Sequence, residues 1–595
     1  MIERLRRDPG LALVVLALAL ALALYAPTLA RGIIDYDDPW LVRDNWLLQH
    51  VSWHSLHAIF FDTSTATRYG LGAEYLPVRD LSVMLDHAVW GHAYWGFHVT
   101  NVAIYLAAIA VWFAALQALG FSRLVAGLAV LVFAVHPSHA ESVAWLSERK
   151  GLLAVAWVGV AVLGYARFRA GGSARQLVLA VVAAVAAVWS KAPAAFALAA
   201  LVPLEWLVPA PRRSLRKSLA ALAAIGVASA AAFVPVVLTA SAMGVVGSNA
   251  PAPAGWLPLV AGVHGFYLEL AAMVFPNAIS YPIATDGPTA IELALGALGL
   301  VAIVAVAVVP RVRGRDVPPA LRVAAVWWLL SWFPNSRIAL PVVKVLVADR
   351  YFMFGSLAVA LAVATGIAAI DRAQLRVALV GAIVVAAGAR TLDAQGSWAS
   401  KLALYQRAVA SNPHDGAAWS FYAEELANEG RQDLADRAVA EGLSHSRDPH
   451  LVHREALFLI ARGDRATGLL RLREAAEGKA PFAMSNLALM LSADGKHDEA
   501  IDWARRATEV SPMYPNGHRV LGKVLLAAHR PDEALAAWQR AYALEPGNLA
   551  NRFNLALALL ALHRAADARP HLEACLADPA LGTKARELLA ETPEN

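Results

Sequence analysis

The chain has 595 residues, of which 58% are apolar and 16% charged, with mean hydropathy +0.50; soluble domains run near ~45–50% apolar and ~25% charged. These values exclude a disordered, collagen-like or wholly soluble protein. The formal net charge, 51 − 46 = +5, fits basic loops that set membrane orientation and gives no reason to expect nucleic acid.

Arg4, Arg6 and Arg7 precede the apolar stretch Leu11–Leu29, which is longer than the ~7–15-residue core of a signal peptide. It reads as a first transmembrane helix with a cytoplasmic N-terminus. The rival, a signal peptide cleaved near Ala30, is disfavoured by the many apolar spans that follow.

The segment from Arg31 to about Phe97 therefore starts outside. Its opening, GIIDYDDPWLVRDN, places Asp35, Asp37, Asp38 and Asp44 immediately beyond an apolar helix. Clustered carboxylates there can serve as a general base for an acceptor hydroxyl or hold a divalent cation, and a solvated acidic turn is the plain alternative.

Further spans fit 98–119, 123–136, 151–167, 175–190, 192–209, 217–240, 289–309, 319–334, 351–370 and 376–392, eleven with the first. The loops this count puts inside are basic: Arg123; Arg167, Arg169 and Arg175; Arg212, Arg213, Arg216 and Lys217; Arg311, Arg313 and Arg315; Arg372 and Arg376. Trp256–Phe275 is apolar too, but it holds His264 and Glu269, and counting it reverses the charge bias of later loops. It is expected to be an amphipathic or re-entrant segment at the outer interface.

Three outer loops carry cations. HPSHAESVAWLSERKGLLA sets His136, His139, Glu141, Glu148, Arg149 and Lys150 at the end of a span; VWSKAPAAF holds Lys191; VLVADRYFMFGS holds Arg350 and Tyr351. Arg149 and Lys150 break the positive-inside rule and suit a lipid phosphate, with a simple ion pair to Glu148 as the alternative. His136 and His139 resemble metal-ligand spacing but lack the HExxH frame. Cations facing one acidic loop suit an anionic lipid-linked donor attacked by a neutral hydroxyl. Snorkelling side chains that only anchor helices are the structural alternative.

From about Trp398 the texture changes, and no apolar run approaches the ~20 residues needed to cross a bilayer. A period of 34 relates Leu487, Leu521 and Leu555, then Ala500, Ala534 and Ala568, then Pro512 and Pro546, which is the rhythm of tetratricopeptide repeats. Looser copies precede these, and Leu402–Pro413 supplies a leading helix, giving about five helical hairpins in a superhelix whose groove binds peptide or protein. A passive spacer is the alternative. The lone Cys575 allows no intramolecular disulfide and no cysteine-based metal site.

In its order of motifs the chain resembles the transmembrane and tetratricopeptide-repeat O-mannosyltransferases, within the GT-C superfamily of polyprenyl-phosphate-sugar glycosyltransferases. In YDDPWLVRDN, Asp37, Asp38 and Asn45 match the acidic first-loop block. In the second, Tyr75, Pro77, Trp90, Gly91, His98 and Asn101 match; in the third, His136, Pro137, His139, Glu141, Arg149 and Leu152. Ser190–Lys191, the Phe-Pro of VFPNAIS and the Arg-Tyr of ADRYFMFGS resemble later blocks.

The resemblance implies an all-α protein with a GT-C transmembrane bundle over 1–392 and a periplasmic or lumenal tetratricopeptide α-solenoid over 393–595. It implies inverting transfer of mannose or another hexose from a polyprenyl phosphate to serine or threonine of exported proteins recruited by the repeats. Asp37 and Asp38 are the candidate base; Arg149, Lys150, Lys191, Arg350 and Tyr351 the donor-phosphate candidates; Arg79, His98, His136, His139 and Glu141 further site candidates. A divalent cation is left open, with Asp37 and Asp38 as its ligands. The expected setting is a bacterial inner membrane.

Three positions depart from the family pattern. Leu76 stands where arginine usually precedes the proline, with Arg79 two residues after it; Ala192 replaces the acid after the lysine; Lys150 or Gly151 replaces an aspartate after the arginine. A lipid or polysaccharide acceptor, or a non-enzymatic membrane-anchored repeat scaffold, are the competing readings.

Overall fold

The computed structural model describes residues 8–34, 36–208, 214–244, 256–273, 277–332 and 345–591. Arg4, Arg6, Arg7, Asp35, Arg212, Arg213 and the Phe275–Pro276 element lie outside the described residues. Among the described residues the only strands form a two-residue-per-strand hairpin, Arg311–Val312 with Arg315–Asp316, and the regular structure is otherwise helical. It divides into two compact units: residues 1–63 with 71–411, and residues 412–595 with 64–70.

In the first unit each of the eleven expected spans contains helix, but lengths differ and 192–209 is broken into Ala194–Ala199 and Leu204–Leu207. Among the described residues six helices are long and apolar enough to cross a membrane: Pro9–Ala30, Tyr94–Ala118, Leu146–Arg169, Leu215–Ala242, Ala290–Val308 and Ala373–Ala399. A seventh candidate, Arg123–Ala134 with Pro137–Ala144, is bent by 57°. Ala174–Ser190, Ala194–Leu207 and Met353–Ala368 are shorter; at 1.5 Å per residue a 16- or 17-residue helix is about 25 Å long, less than the about 30 Å hydrocarbon core.

The bend sits where the sequence reads Val135-His136-Pro137, since proline lacks the N–H that would continue the ladder. The freed groups find partners inside the bundle. The Tyr105 hydroxyl lies 3.2 Å from the carbonyl oxygens of Phe133 and Ala134 and 2.6 Å from His139 Nδ1, and Thr391 Oγ1 donates to Val135 O at 2.7 Å.

Trp256–Ala271, expected as an amphipathic or re-entrant segment, is a 16-residue helix packed against its neighbours. It buries Val263, His264, Phe266, Tyr267 and Leu270 and lies against Ala290–Val308 through glycines. A Cβ on Gly265 would fall 1.9 Å from Glu292 O, and one on Gly296 1.7 Å from Ala261 O. Small residues allow this backbone approach between apolar helices. His264, which had argued against burial, is satisfied on both ring nitrogens: Gly296 O lies 2.8 Å from Nδ1, and Trp328 Nε1 donates to Nε2 at 2.7 Å.

The second unit consists, among the described residues, of five helical hairpins, from Gly416–Asn428 with Gln432–His445 to Leu549–Ala561 with Ala565–Glu573, followed by Gly582–Glu591. Ala500, Ala534 and Ala568 are fully buried at the period read from sequence. Each first helix ends in a left-handed residue: Gly430, Gly463 and Gly495 in three hairpins, His529 (φ 57°) and His563 (φ 58°) in the last two.

Candidate functional site

The sequence-predicted residues gather around the turn Leu146–Glu148, which leads into the helix Arg149–Arg169. Asp38 is buried and fully engaged: Oδ2 accepts from the Ile34 N–H at 3.1 Å, and Oδ1 accepts from Ser147 N at 3.0 Å and Ser147 Oγ at 2.6 Å. Burial pushes its pKa up to about 6 against the pull of these bonds. Asp37 is half-buried. Desolvation lifts its pKa, and Lys150 and Arg350 pull it back down, with Glu74 and Glu148 adding repulsion. The adjacent acids thus divide: Asp38 staples the loop, and Asp37 lies within electrostatic reach of Lys150 and Arg350.

Around Asp37, cations and carboxylates alternate. Glu148 pairs with Lys191 Nζ and lies 4.0 Å from Arg350 Nε. Glu141 binds Arg350 twice, through its backbone N at 2.8 Å and Nη1 at 2.5 Å. Lys150 Nζ meets Glu74 at 2.7 Å, and Arg79 Nη1 meets the same carboxylate at 3.3 Å. The Arg350 guanidinium also stands over the rings of Tyr351, at 5.0 Å, and Trp145, at 5.7 Å. Trp145 in turn stacks on Trp398 and touches Tyr36, both at 5.3 Å between centroids.

Two departures from the family pattern acquire physical reasons. Ala192 removes an acid after Lys191, and Glu148, distant in sequence, supplies the counter-charge. Gly151 lies where a Cβ would approach Glu148 Oε1 to 2.9 Å and Lys191 Nζ to 3.4 Å, so a side chain there would crowd that ion pair. Arg79, one turn into Pro77–Trp90, reaches back to Glu74 and to Asp80 at 2.6 Å.

Arg149 does not join the cluster. It is 1% exposed, and its donors go to Asp86 at 2.5 Å, Asn101 Oδ1 at 2.6 Å, Phe97 O at 2.9 Å and Ser82 O at 3.3 Å. A guanidinium so occupied fixes helix ends and presents nothing to a phosphate. His139 is held between Tyr105 and Ser356, at 2.7 Å from the latter; His136 contacts Ser138 at 2.8 Å; His98 Nε2 contacts Gly32 O at 3.1 Å. Among the described residues no three His, Cys, Asp or Glu side chains are placed to share a metal ion.

Glu74, Ser147, Trp145 and Asp349 were not singled out from sequence. Asp349 is buried beside Glu141, accepts from Tyr281 OH and Asn277 Nδ2, both at 2.6 Å, and burial with that neighbouring charge raises its pKa to about 8. With Glu141, Asn277 and Trp398 it lines a small cavity of about 10 Å³, space for no more than a single water. All four lie in or beside matched motifs: Glu74 adjoins Tyr75, Trp145 and Ser147 fall within HPSHAESVAWLSERKGLLA, and Asp349 within ADRYFMFGS.

Residues 483–511 match the family model described as Tetratricopeptide repeat. The chain is 33% identical over 138 residues to the human Protein O-mannosyl-transferase TMTC2, covering 22% of this chain and 16% of that protein. It is 31% identical over 182 residues to the Drosophila melanogaster Protein O-mannosyl-transferase Tmtc1, covering 30% and 21%. Among solved structures, YrrB, titled a TPR protein with an unusual peptide-binding site, is 15% identical over 31% of this chain and 97% of its own, with TM-score 0.25. The chain spans about a sixth to a fifth of the length of the curated relatives it matches. It carries a tetratricopeptide repeat and is, over part of its length, similar to the TMTC protein O-mannosyl-transferases.

Proposed function

We propose that this protein is a membrane-embedded glycosyltransferase of the GT-C type. It moves a hexose, mannose by analogy with the relatives' names, from a polyprenyl-phosphate carrier to serine or threonine hydroxyls of exported proteins. The repeats recruit the acceptor, and the site and the repeats face the periplasm of a bacterial inner membrane. The observation that carries the reading is the half-buried Asp37, set among Lys150, Arg350, Glu74 and Glu148, beside an Asp38 whose oxygens are already used.

In this reaction the acceptor oxygen attacks the anomeric carbon as the bond from that carbon to the phosphate oxygen breaks. The hydroxyl proton passes to the Asp37 carboxylate, and the polyprenyl phosphate leaves with its negative charge facing the cations. Lys150 is the cation most ready to take the phosphate, because its partner Glu74 is the most exposed carboxylate of the network, with 42% of its side-chain surface accessible. Lys191 and Arg350 stand behind it on buried glutamates, so they supply a fixed positive field. Tyr351 fixes the guanidinium plane from one side.

The test is turnover of a synthetic polyprenyl-phosphate mannose with a Ser/Thr peptide by the full chain in nanodiscs. Asp37→Asn is expected to lose about 10²-fold or more in rate, the usual size of a general-base contribution, with an unchanged melting temperature. Full turnover in that variant would remove Asp37 from the role of base.

A further inference from the structure

One short stretch of the loop between Pro9–Ala30 and Tyr94–Ala118 does not fold with its neighbours in sequence. Ser64–Gly70 belongs to the repeat unit, although the chain up to Thr63 and from Leu71 belongs to the first. Its helix, Thr65–Gly70, packs on Pro531–Leu544. Arg68 is fully buried and Tyr69 half-buried. Isolated helices shorter than ~12–15 residues are marginal in water, so a helix of 6 residues keeps its shape only while docked.

The surface that meets Tyr69 is a polar network drawn from three helix ends. Tyr514 precedes Pro515–Ala527, Glu545 follows Pro531–Leu544 and Asn548 precedes Leu549–Ala561. Arg519 Nη1 pairs with Glu545 at 2.8 Å, Asn548 Nδ2 donates to the same carboxylate at 3.0 Å, and Asn516 Nδ2 donates to the Tyr514 hydroxyl at 3.2 Å. Burial, Glu545 and Tyr514 push the Tyr69 phenol up to about 12 against the pull of Arg519. Repeat packing does not require this network. One repeat earlier the positions of Tyr514, Arg519 and Glu545 hold Ala480, Ser485 and Ser511, and one repeat later they hold Asn548, Phe553 and Pro579.

We propose that this end of the Pro515–Leu544 hairpin is a recognition site for a short hydroxyl-rich segment ending in Arg-Tyr, filled in cis by Ser64–Gly70, and that an acceptor of the same pattern engages the repeats by displacing it. The acceptor role rests on the glycosyltransferase reading above; the docking does not. Ser64, Thr65 and Thr67 give the segment the residue types that reading makes the substrate. A segment tethered at both ends acts at an effective concentration in the mM range, so a free peptide meets a closed site in the unaltered chain and an open one where the tethered copy is disabled.

The test uses no sugar donor, so docking stands or falls independently of transfer, which the Asp37→Asn turnover assay reads. A fluorescein-labelled peptide of residues 64–70, Ser-Thr-Ala-Thr-Arg-Tyr-Gly, is titrated with the full chain in nanodiscs and followed by anisotropy. Tyr69→Ala, screened by thermal melt, is expected to bind it at least about tenfold more tightly than the unaltered chain. Adding Arg519→Ala and Glu545→Ala is expected to abolish the gain, and the Ser/Thr peptide of the turnover assay, extended with Arg-Tyr, is expected to compete. Absence of saturable binding to Tyr69→Ala, binding that survives loss of Arg519 and Glu545, or failure of the acceptor peptide to compete overturns the proposal. A second measurement needs no variant: amide hydrogen exchange over 64–70 in the unaltered chain is expected to rise several-fold in mM peptide and to stay constant with the same peptide carrying alanine for tyrosine. Exchange unmoved by the native peptide overturns it equally.

Discussion

The two units use ion pairs for different ends. In the repeats, pairs such as Arg473–Glu499 and Arg447–Glu474 join side chains 26 and 27 residues apart, less than one repeat, and both partners are more than a third exposed. In the first unit, Arg149–Asp86, Lys191–Glu148 and Arg350–Glu141 join residues far apart in sequence, with carboxylates almost wholly buried. Exposed pairs are worth about 0–1 kcal/mol, whereas breaking a buried pair costs about 3–5 kcal/mol by leaving one charge unmatched. The repeats spend their charges on solubility and register. The first unit holds its charges buried in pairs, at a desolvation cost to folding.

The sharpest way to break this contrast is Arg149→Ala. It strands Asp86 in the core and is expected to lower stability by about 3 kcal/mol or more, read as a large fall in melting temperature in detergent; a change under about 1 kcal/mol would show the pair to be dispensable. Asp349 sharpens the picture through pH. Its carboxyl is harder to ionise folded than unfolded, so the native state holds the extra proton and this stabilisation is lost as pH rises from about 4 to about 8. Melting curves over that window should slope downward, and Asp349→Asn should flatten part of the slope.

In the repeats, Arg473→Ala is expected to change stability by no more than about 1 kcal/mol. A loss as large as that of Arg149→Ala would erase the distinction between the units. His529→Gly and His563→Gly, which relieve left-handed backbone at exposed helix ends, should each stabilise by about 1 kcal/mol, measured by urea unfolding.

The repeats were legible because a fixed period writes itself into spacing, and Ala500, Ala534 and Ala568 stand buried where that spacing puts them. Helix positions in the first unit were legible from apolar runs, yet lengths were not: a run of apolar residues does not say that Ala194–Leu207 is broken into two short turns. His264 counts as polar in a sequence, and only the fold supplies the Gly296 O and the Trp328 N–H that satisfy it. Within the site, residue types pointed to the right loops but could not separate Asp37 from Asp38. That difference lies in Ser147, more than a hundred residues away. Arg149 and Lys150 are neighbours in sequence and point to different partners, since a helix turns about 100° per residue.

The glycine contact between Trp256–Ala271 and Ala290–Val308 has a consequence for variation in the chain. With Gly265 against Glu292 and Gly296 against Ala261 at backbone distance, a single added methyl acts as a wedge between two rods. The displaced rod carries His264 away from Trp328 and Tyr267 from its ring stack with Phe352, 5.9 Å apart and immediately after Arg350 and Tyr351 in the chain. A Gly265→Ala carrier would thus combine a modest packing defect of about 1–3 kcal/mol with a shift at the Arg350 loop, though neither glycine touches a charged group of that cluster.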